Sequence, residues 1–161
     1  MKIKKQINKI ISFTGYSLKK IQKETIILKS LPEIPEDEYQ VLGEDLYYLN
    51  LLNVKINPKN FDYLIRGYEM AKLLKLKREA VFEVIDDRLI CEINKMKCFI
   101  CTWEELLILK EIYIDGIYNY SNNNKSVLID IGMNVGLTSL FFANKINFTN
   151  IYSFEPFKPT F

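Results

Sequence analysis

Glycines and carboxylates near the end of the printed sequence have the spacing of a nucleoside-binding site. One apolar run ends in Asp130 and is followed by Gly132, Asn134 and Gly136, and a second apolar run ends in Glu155. Glycine lets the backbone turn sharply and lets a ligand approach closely, and a helix that begins beyond the turn offers free N–H groups. Glu155 follows Gly136 by 19 residues, about the interval at which an acidic side chain reaches ribose hydroxyls. Because Asp130 can hold an ammonium group, the set predicts a pocket for a ribose joined to a charged amino acid.

The same spacing disfavours two other kinds of ligand that bind at glycine turns. Nicotinamide dinucleotides require G-x-G-x-x-G, in which the second glycine approaches the pyrophosphate, and here Asn134 occupies that position. The phosphate-binding sequence G-x-x-x-x-G-K-[ST] does not occur in the chain. The D-x-G-x-N-x-G form therefore fits a nucleoside without a pyrophosphate better. A glycine turn in an unrelated α/β protein stays open as the alternative.

Two blocks of this region resemble a known enzyme family. Residues 130–140 and 154–161 are similar to the first two motifs of the FkbM family of S-adenosylmethionine-dependent methyltransferases, D-x-G-A-N-x-G-x-x-S followed by F-E-P-x-P. Met133 stands where that family usually has alanine. The segment 109–119 also resembles the lead-in before the first motif, so the resemblance covers about residues 80–161.

The resemblance implies a cofactor, a reaction and roles for particular residues. The cofactor would be S-adenosylmethionine, with Asp130, Gly132, Asn134 and Gly136 around its methionine part and Glu155 on its ribose. The reaction would be O-methylation, with a sugar hydroxyl of a polysaccharide or glycolipid as acceptor. The family pattern assigns no catalytic base and no metal ligand to residues of this sequence.

The elements around these motifs predict an α/β fold. Residues 126–161 read as one βαβ unit, with a glycine turn at the carboxyl end of its first strand. A doubly wound, Rossmann-like sheet needs several further strand–helix pairs, so we expect an incomplete, truncated domain that is inactive by itself. Strands of a parallel sheet are normally covered on both faces. The unit is therefore expected to expose an apolar face and an open edge, which a partner chain supplying the missing sheet would cover.

Residues 81–120 predict a lead-in to this unit. Three short runs, beginning at Val81, Arg88 and Cys98, have the two-residue hydrophobic period of β-strands and indicate a β-meander. Thr102 and Glu105 then have the spacing of a capping box, and Gly116 stands where a helix would end. The polar loop 121–125 is the expected domain boundary.

Residues 1–80 are expected to be helical. The stretch 1–30 is rich in lysine, with isoleucines on one stripe of a helix. We expect this helix to pack on the rest of the domain, with peripheral contact to an anionic membrane as the alternative. An acidic linker over 31–45, a short helix over 46–52 and a longer helix opened by Pro58 and Asn60 follow, the last with Phe61, Leu64, Tyr68 and Ala71 on one face.

Composition excludes several functions. The chain has no histidine, which removes Ser-His-Asp and Cys-His catalysis and histidine-bound zinc. Its net charge of +2 gives no argument for a nucleic-acid partner. Three cysteines, at 91, 98 and 101, indicate buried free thiols in a reducing compartment. We therefore expect a cytoplasmic protein, with a non-catalytic module for membrane-surface or protein contacts as the alternative to a methyltransferase.

Overall fold

The computed structural model describes residue 31 and residues 33–118, 124–144 and 148–157. The described chain is a mixed α/β structure with three small sheets. The predicted basic helix over 1–30 and most of the predicted boundary loop lie outside the described residues. Among the described helices, none combines the length and the hydropathy that a bilayer crossing requires.

The first sheet occupies a region where we expected a linker and a helix. A 3-10 turn, Glu36–Glu38, leads into the antiparallel strands β1 (Tyr39–Gly43), β2 (Leu46–Leu49) and β3 (Val54–Ile56). The predicted helix over 46–52 is therefore wrong, and part of the predicted linker is a strand. Tyr47 and Leu49 are buried in alternation with their more exposed neighbours. That period of two, together with the tyrosines, favours a strand.

Two helices follow this sheet and are separated at one glycine. They are α1 (Asp62–Arg66) and α2 (Tyr68–Arg78), and the predicted stripe of Phe61, Leu64, Tyr68 and Ala71 is buried as expected. A Cβ on Gly67 would lie 2.5 Å from the Leu106 side chain. Glycine at this position therefore permits the close packing of these helices against the next one along the chain.

The predicted meander is confirmed as the second antiparallel sheet. Its strands are β4 (Val81–Ile85), β5 (Arg88–Ile93) and β6 (Met96–Ile100). The turns at 86–87 and 94–95 place both of their central residues at positive φ. Such turns match the twist of paired strands and tolerate Asp and Asn well. Polar pairs in the sequence thus fix the register of this sheet.

The helix after the meander begins and ends as the sequence predicts. In α3 (Trp103–Lys110) the Thr102 hydroxyl accepts a hydrogen bond from the Glu105 N–H at 3.3 Å, and the Glu105 carboxylate accepts one from the Thr102 N–H. The helix continues as a π-helical segment, Glu111–Asp115, and ends at Gly116 with φ of 68°. The capping box and the terminal glycine are both confirmed.

The last unit is the predicted βαβ arrangement. Strand β7 (Ser126–Ile131) pairs in parallel with β8 (Phe148–Phe154), and α4 (Leu137–Ala143) lies between them in sequence. Phe141 of α4 packs edge-on against Tyr113, with ring centroids 5.4 Å apart. Leu137, the first residue of α4, belongs to the buried hydrophobic cluster of the described chain. Helix α4 therefore joins this unit to that core.

One face of the β7–β8 sheet is open. Five large apolar side chains on it are between 52% and 81% exposed, namely Val127, Ile129, Ile131, Tyr152 and Phe154. Among the described residues these two strands pair only with each other. The expected apolar face and open edge are therefore confirmed for this part of the chain.

The three cysteines are free thiols in different surroundings. Cys91 is buried, Cys98 is half-buried and Cys101 is exposed. Burial raises the pKa of the Cys98 thiol to about 11. The expectation of burial is wrong for Cys101, because that residue lies just after strand β6, at the surface where α3 begins.

Candidate functional site

The glycine turn is built from three residues in the left-handed region of backbone space. Gly132, Asn134 and Gly136 have φ of 78°, 53° and 81°. Asparagine adopts this conformation more readily than other residues with a side chain. Asn134 can therefore occupy a position at which a third glycine would otherwise be expected. The Gly136 N–H closes the turn by donating to the Met133 carbonyl at 2.9 Å.

The space above the turn is open. A Cβ built on Gly132 or on Gly136 would meet no described atom within 4 Å. Packing therefore does not require glycine at these two positions, whereas their positive φ does. The open space lets a ligand approach the backbone closely at both glycines.

Glu155 joins the second strand to this turn. One carboxylate oxygen accepts a hydrogen bond from the Asn134 N–H at 2.8 Å, and the other accepts one from the Phe157 N–H at 2.7 Å. The N–H groups of Gly132 and Met133 both donate to the Phe154 carbonyl. The two motifs singled out in the sequence are thus in direct contact.

The Asp130 carboxylate contacts one serine, Ser139, which in turn contacts a second, Ser153. Ser139 is the last residue of the D-x-G-A-N-x-G-x-x-S block, but the resemblance gives neither serine a role. The Ser139 hydroxyl donates to the Asp130 carboxylate at 2.5 Å and lies 2.6 Å from the Ser153 hydroxyl. Ser139 belongs to helix α4, whereas Ser153 lies directly opposite Asp130 in the β7–β8 register. Only the strand register identifies Ser153, and the sequence does not reveal that register.

All five predicted site residues lie at one end of the parallel pair. Asp130 is the penultimate residue of β7 and Glu155 directly follows β8, and the turn that carries Gly132, Asn134 and Gly136 lies beside them. This end is where open α/β sheets bind ligands. A carboxylate offers about four lone-pair sites, so Glu155 can accept further hydrogen bonds from hydroxyl groups. The arrangement is chemically suited to a polyhydroxylated ring on Glu155 and to a cation on Asp130.

The nucleoside and the charged amino acid that the motifs predict remain a prediction for this end of the sheet. Comparisons of this chain with family models, with curated proteins and with solved structures find no match.

Proposed function

We propose that this chain binds S-adenosylmethionine at the glycine turn and belongs to a methyltransferase of the FkbM type. One observation carries the proposal, the 2.8 Å hydrogen bond from the Asn134 N–H to the Glu155 carboxylate. This bond brings the glycine block and the glutamate-proline block of the resemblance into contact. An accidental match of two short motifs would not require them to be in contact.

Each residue then has a defined part. Glu155 would accept hydrogen bonds from the two ribose hydroxyls, and the Asp130 carboxylate would face the ammonium group of the methionine part. Ser139 and Ser153 would keep Asp130 in its present orientation. Gly132 and Gly136 would leave room for the ligand along the turn.

The proposed reaction is O-methylation of a sugar hydroxyl. When bound, S-adenosylmethionine would supply a methyl group to a hydroxyl oxygen: the S–CH3 bond would break, S-adenosylhomocysteine would leave as a neutral thioether, and the hydroxyl proton would pass to water. The residues described above would contribute mainly alignment of that group with its acceptor. The resemblance of the two motifs supports the choice of a sugar hydroxyl as acceptor.

Calorimetric titration of the full chain with S-adenosylmethionine tests this proposal. The described site is open and exposed, so we expect a dissociation constant of about 0.1–1 mM. Glu155→Gln removes the charge and keeps one oxygen, which can accept from the Asn134 N–H but not from the Phe157 N–H as well. It should weaken binding about tenfold, as expected for a hydrogen bond to a charged group.

Glu92→Gln is the matched control, because Glu92 is an exposed carboxylate on strand β5. Its affinity should equal that of the wild-type chain. If all three proteins bind equally, or if the wild-type chain binds no S-adenosylmethionine at millimolar concentration, the proposed site is wrong.

The exposed face of the β7–β8 sheet favours a second function, a module that binds another protein. The apolar side chains of this face form a contiguous patch of the kind that marks interaction surfaces. A partner that supplies further strands and helices would cover both this face and the free strand edges. The membrane-binding version of this alternative depends on residues 1–30.

A further inference from the structure

A polar cavity of about 260 Å³ lies between the start of helix α1 and the start of helix α3. The cavity is lined on one side by Asn60, Asp62 and Arg66 and on the other by Trp103 and Glu104. Pockets for drug-sized molecules have volumes of about 300–1,000 Å³. This cavity therefore has the size for a ligand of a single ring.

The start of α3 fixes one wall of the cavity and disfavours an anion there. The buried Glu105 carboxylate accepts hydrogen bonds from the N–H groups of Cys101 and Thr102, at 2.6 and 3.3 Å. These backbone groups would otherwise attract a negative charge at the helix start. The same contacts hold the backbone next to Trp103 in place.

The charges around the cavity do not favour an anion. Arg66 pairs with Asp62 at 2.9 Å, and Lys59, which also lines the cavity, pairs with Asp45 at 2.6 Å. Glu104 adds a second carboxylate to the lining. With two cations against three carboxylates, counting Asp45 beside the wall, the surroundings of the cavity disfavour an anionic ligand.

We propose that this cavity binds a neutral saccharide ring against the indole of Trp103. Asn60 both donates and accepts hydrogen bonds, Arg66 donates and Glu104 accepts, and hydroxyl groups match such a mixed set because they do both. Trp103 lines the cavity beside these groups, and an indole ring can pack against the C–H face of a sugar. The inference goes beyond the proposed function, since it requires neither S-adenosylmethionine nor methyl transfer.

The fluorescence of the full chain tests the proposal directly, because Trp103 is its only tryptophan. Glucose, galactose, mannose and N-acetylglucosamine are titrated singly, with inorganic phosphate as the anionic probe. N-acetyltryptophanamide corrects for effects of the sugars on free indole. We expect a saturable change with at least one sugar and a dissociation constant on the order of 1 mM, and no saturable change with phosphate.

Two variants locate the site while leaving the reporter in place. Asn60→Ala should weaken sugar binding about tenfold, and Arg66→Lys should weaken it because lysine lacks the planar fork of arginine. Asn150→Ala, an exposed asparagine on strand β8, should bind as the wild-type chain does. Circular dichroism establishes that each variant is folded.

Saturation-transfer NMR detects any binding that leaves the emission unchanged. The proposal is overturned if no sugar gives a signal by either method. It is also overturned if phosphate binds in place of sugars, or if both folded variants bind sugar as tightly as the control. None of these results bears on the calorimetric titration with S-adenosylmethionine, so the two proposals fail separately.

Discussion

At the scale of single residues, the conformation of Gly136 matters more than its surroundings. Its φ of 81° is costly for a residue with a Cβ, although a Cβ would meet no atom within 4 Å. We expect Gly136→Ala to reduce the free energy of unfolding by about 1–2 kcal/mol. Urea denaturation measures this loss.

Gly43→Ala is the matched control for that substitution. A Cβ on Gly43 would make only an ordinary contact, 3.9 Å from Leu46, and no positive φ is involved. Its effect should be much smaller. Equal losses in the two variants would show that the turn around Gly136 does not have the conformation described above.

The ion pair of Lys72 with Glu38 gives the stability a dependence on pH. The Lys72 ammonium donates to the Glu38 carboxylate and is the main cause that lowers the pKa of this carboxyl. A carboxyl with a lowered pKa in the folded state stabilises above its unfolded pKa, and this contribution is lost as the pH falls through the folded value. The chain should therefore lose this stabilisation below about pH 4.5.

Lys72→Met tests that expectation. The variant should unfold more easily than the wild-type chain at pH 7, and the difference between the two should shrink as the pH falls below the ordinary carboxyl range. Lys75→Met, on the same helix, should leave the acid dependence of unfolding unchanged. A constant difference between Lys72→Met and wild type from pH 7 to pH 3 would contradict the assignment.

At the scale of elements, helix α3 depends on its capping box. Thr102→Ala removes the hydroxyl that accepts from the Glu105 N–H, and we expect a loss of about 1 kcal/mol in the free energy of unfolding. Thr102→Ser keeps the hydroxyl and should lose little. Thermal and urea unfolding of the three chains measure the effect, and equal stability of all three would show that the cap does not stabilise α3.

The sequence predicts some of the strands and helices correctly and not others. Turn residues and a period of two located the second sheet, and a capping box located α3, because those signals are local. The first sheet was missed because a dense apolar run such as 46–52 satisfies helix and strand patterns alike. This run becomes strand β2 because it pairs with β1 and β3, and such pairing is a contact between separate segments of the chain.

The candidate site shows the same division. Its glycines and carboxylates were recognised from their spacing, and they lie together as expected. Ser139 stands in the glycine block without an assigned role, and Ser153 comes next to Asp130 only through the parallel register. Positioning contacts between separate elements are therefore the part that sequence patterns do not reveal.

At the scale of the whole molecule, the open face of the β7–β8 sheet should dominate solution behaviour. We expect the full chain to bind an apolar dye such as ANS and to associate with itself as its concentration rises, because this face exposes a contiguous apolar patch. Dye fluorescence and analytical ultracentrifugation measure the two effects.

A pair of isoleucine variants assigns the behaviour to this face. Ile129→Thr keeps a β-branched residue in strand β7 and should lower both dye binding and association. Ile85→Thr, at the exposed end of strand β4, should change them little. A wild-type chain that stays monomeric, melts cooperatively and binds no dye would show that the face is not available in solution.

The central claim is that the glycine turn and Glu155 form one site for S-adenosylmethionine. The amide signal of Asn134 tests it most directly, because this N–H donates to the Glu155 carboxylate. In ¹⁵N–¹H spectra of the full chain, we predict that S-adenosylmethionine shifts the signals of Asn134, Gly132 and Gly136 together and saturably. Unchanged signals at these three residues, at ligand concentrations of about 10 mM that would fill even a millimolar site, would contradict the account.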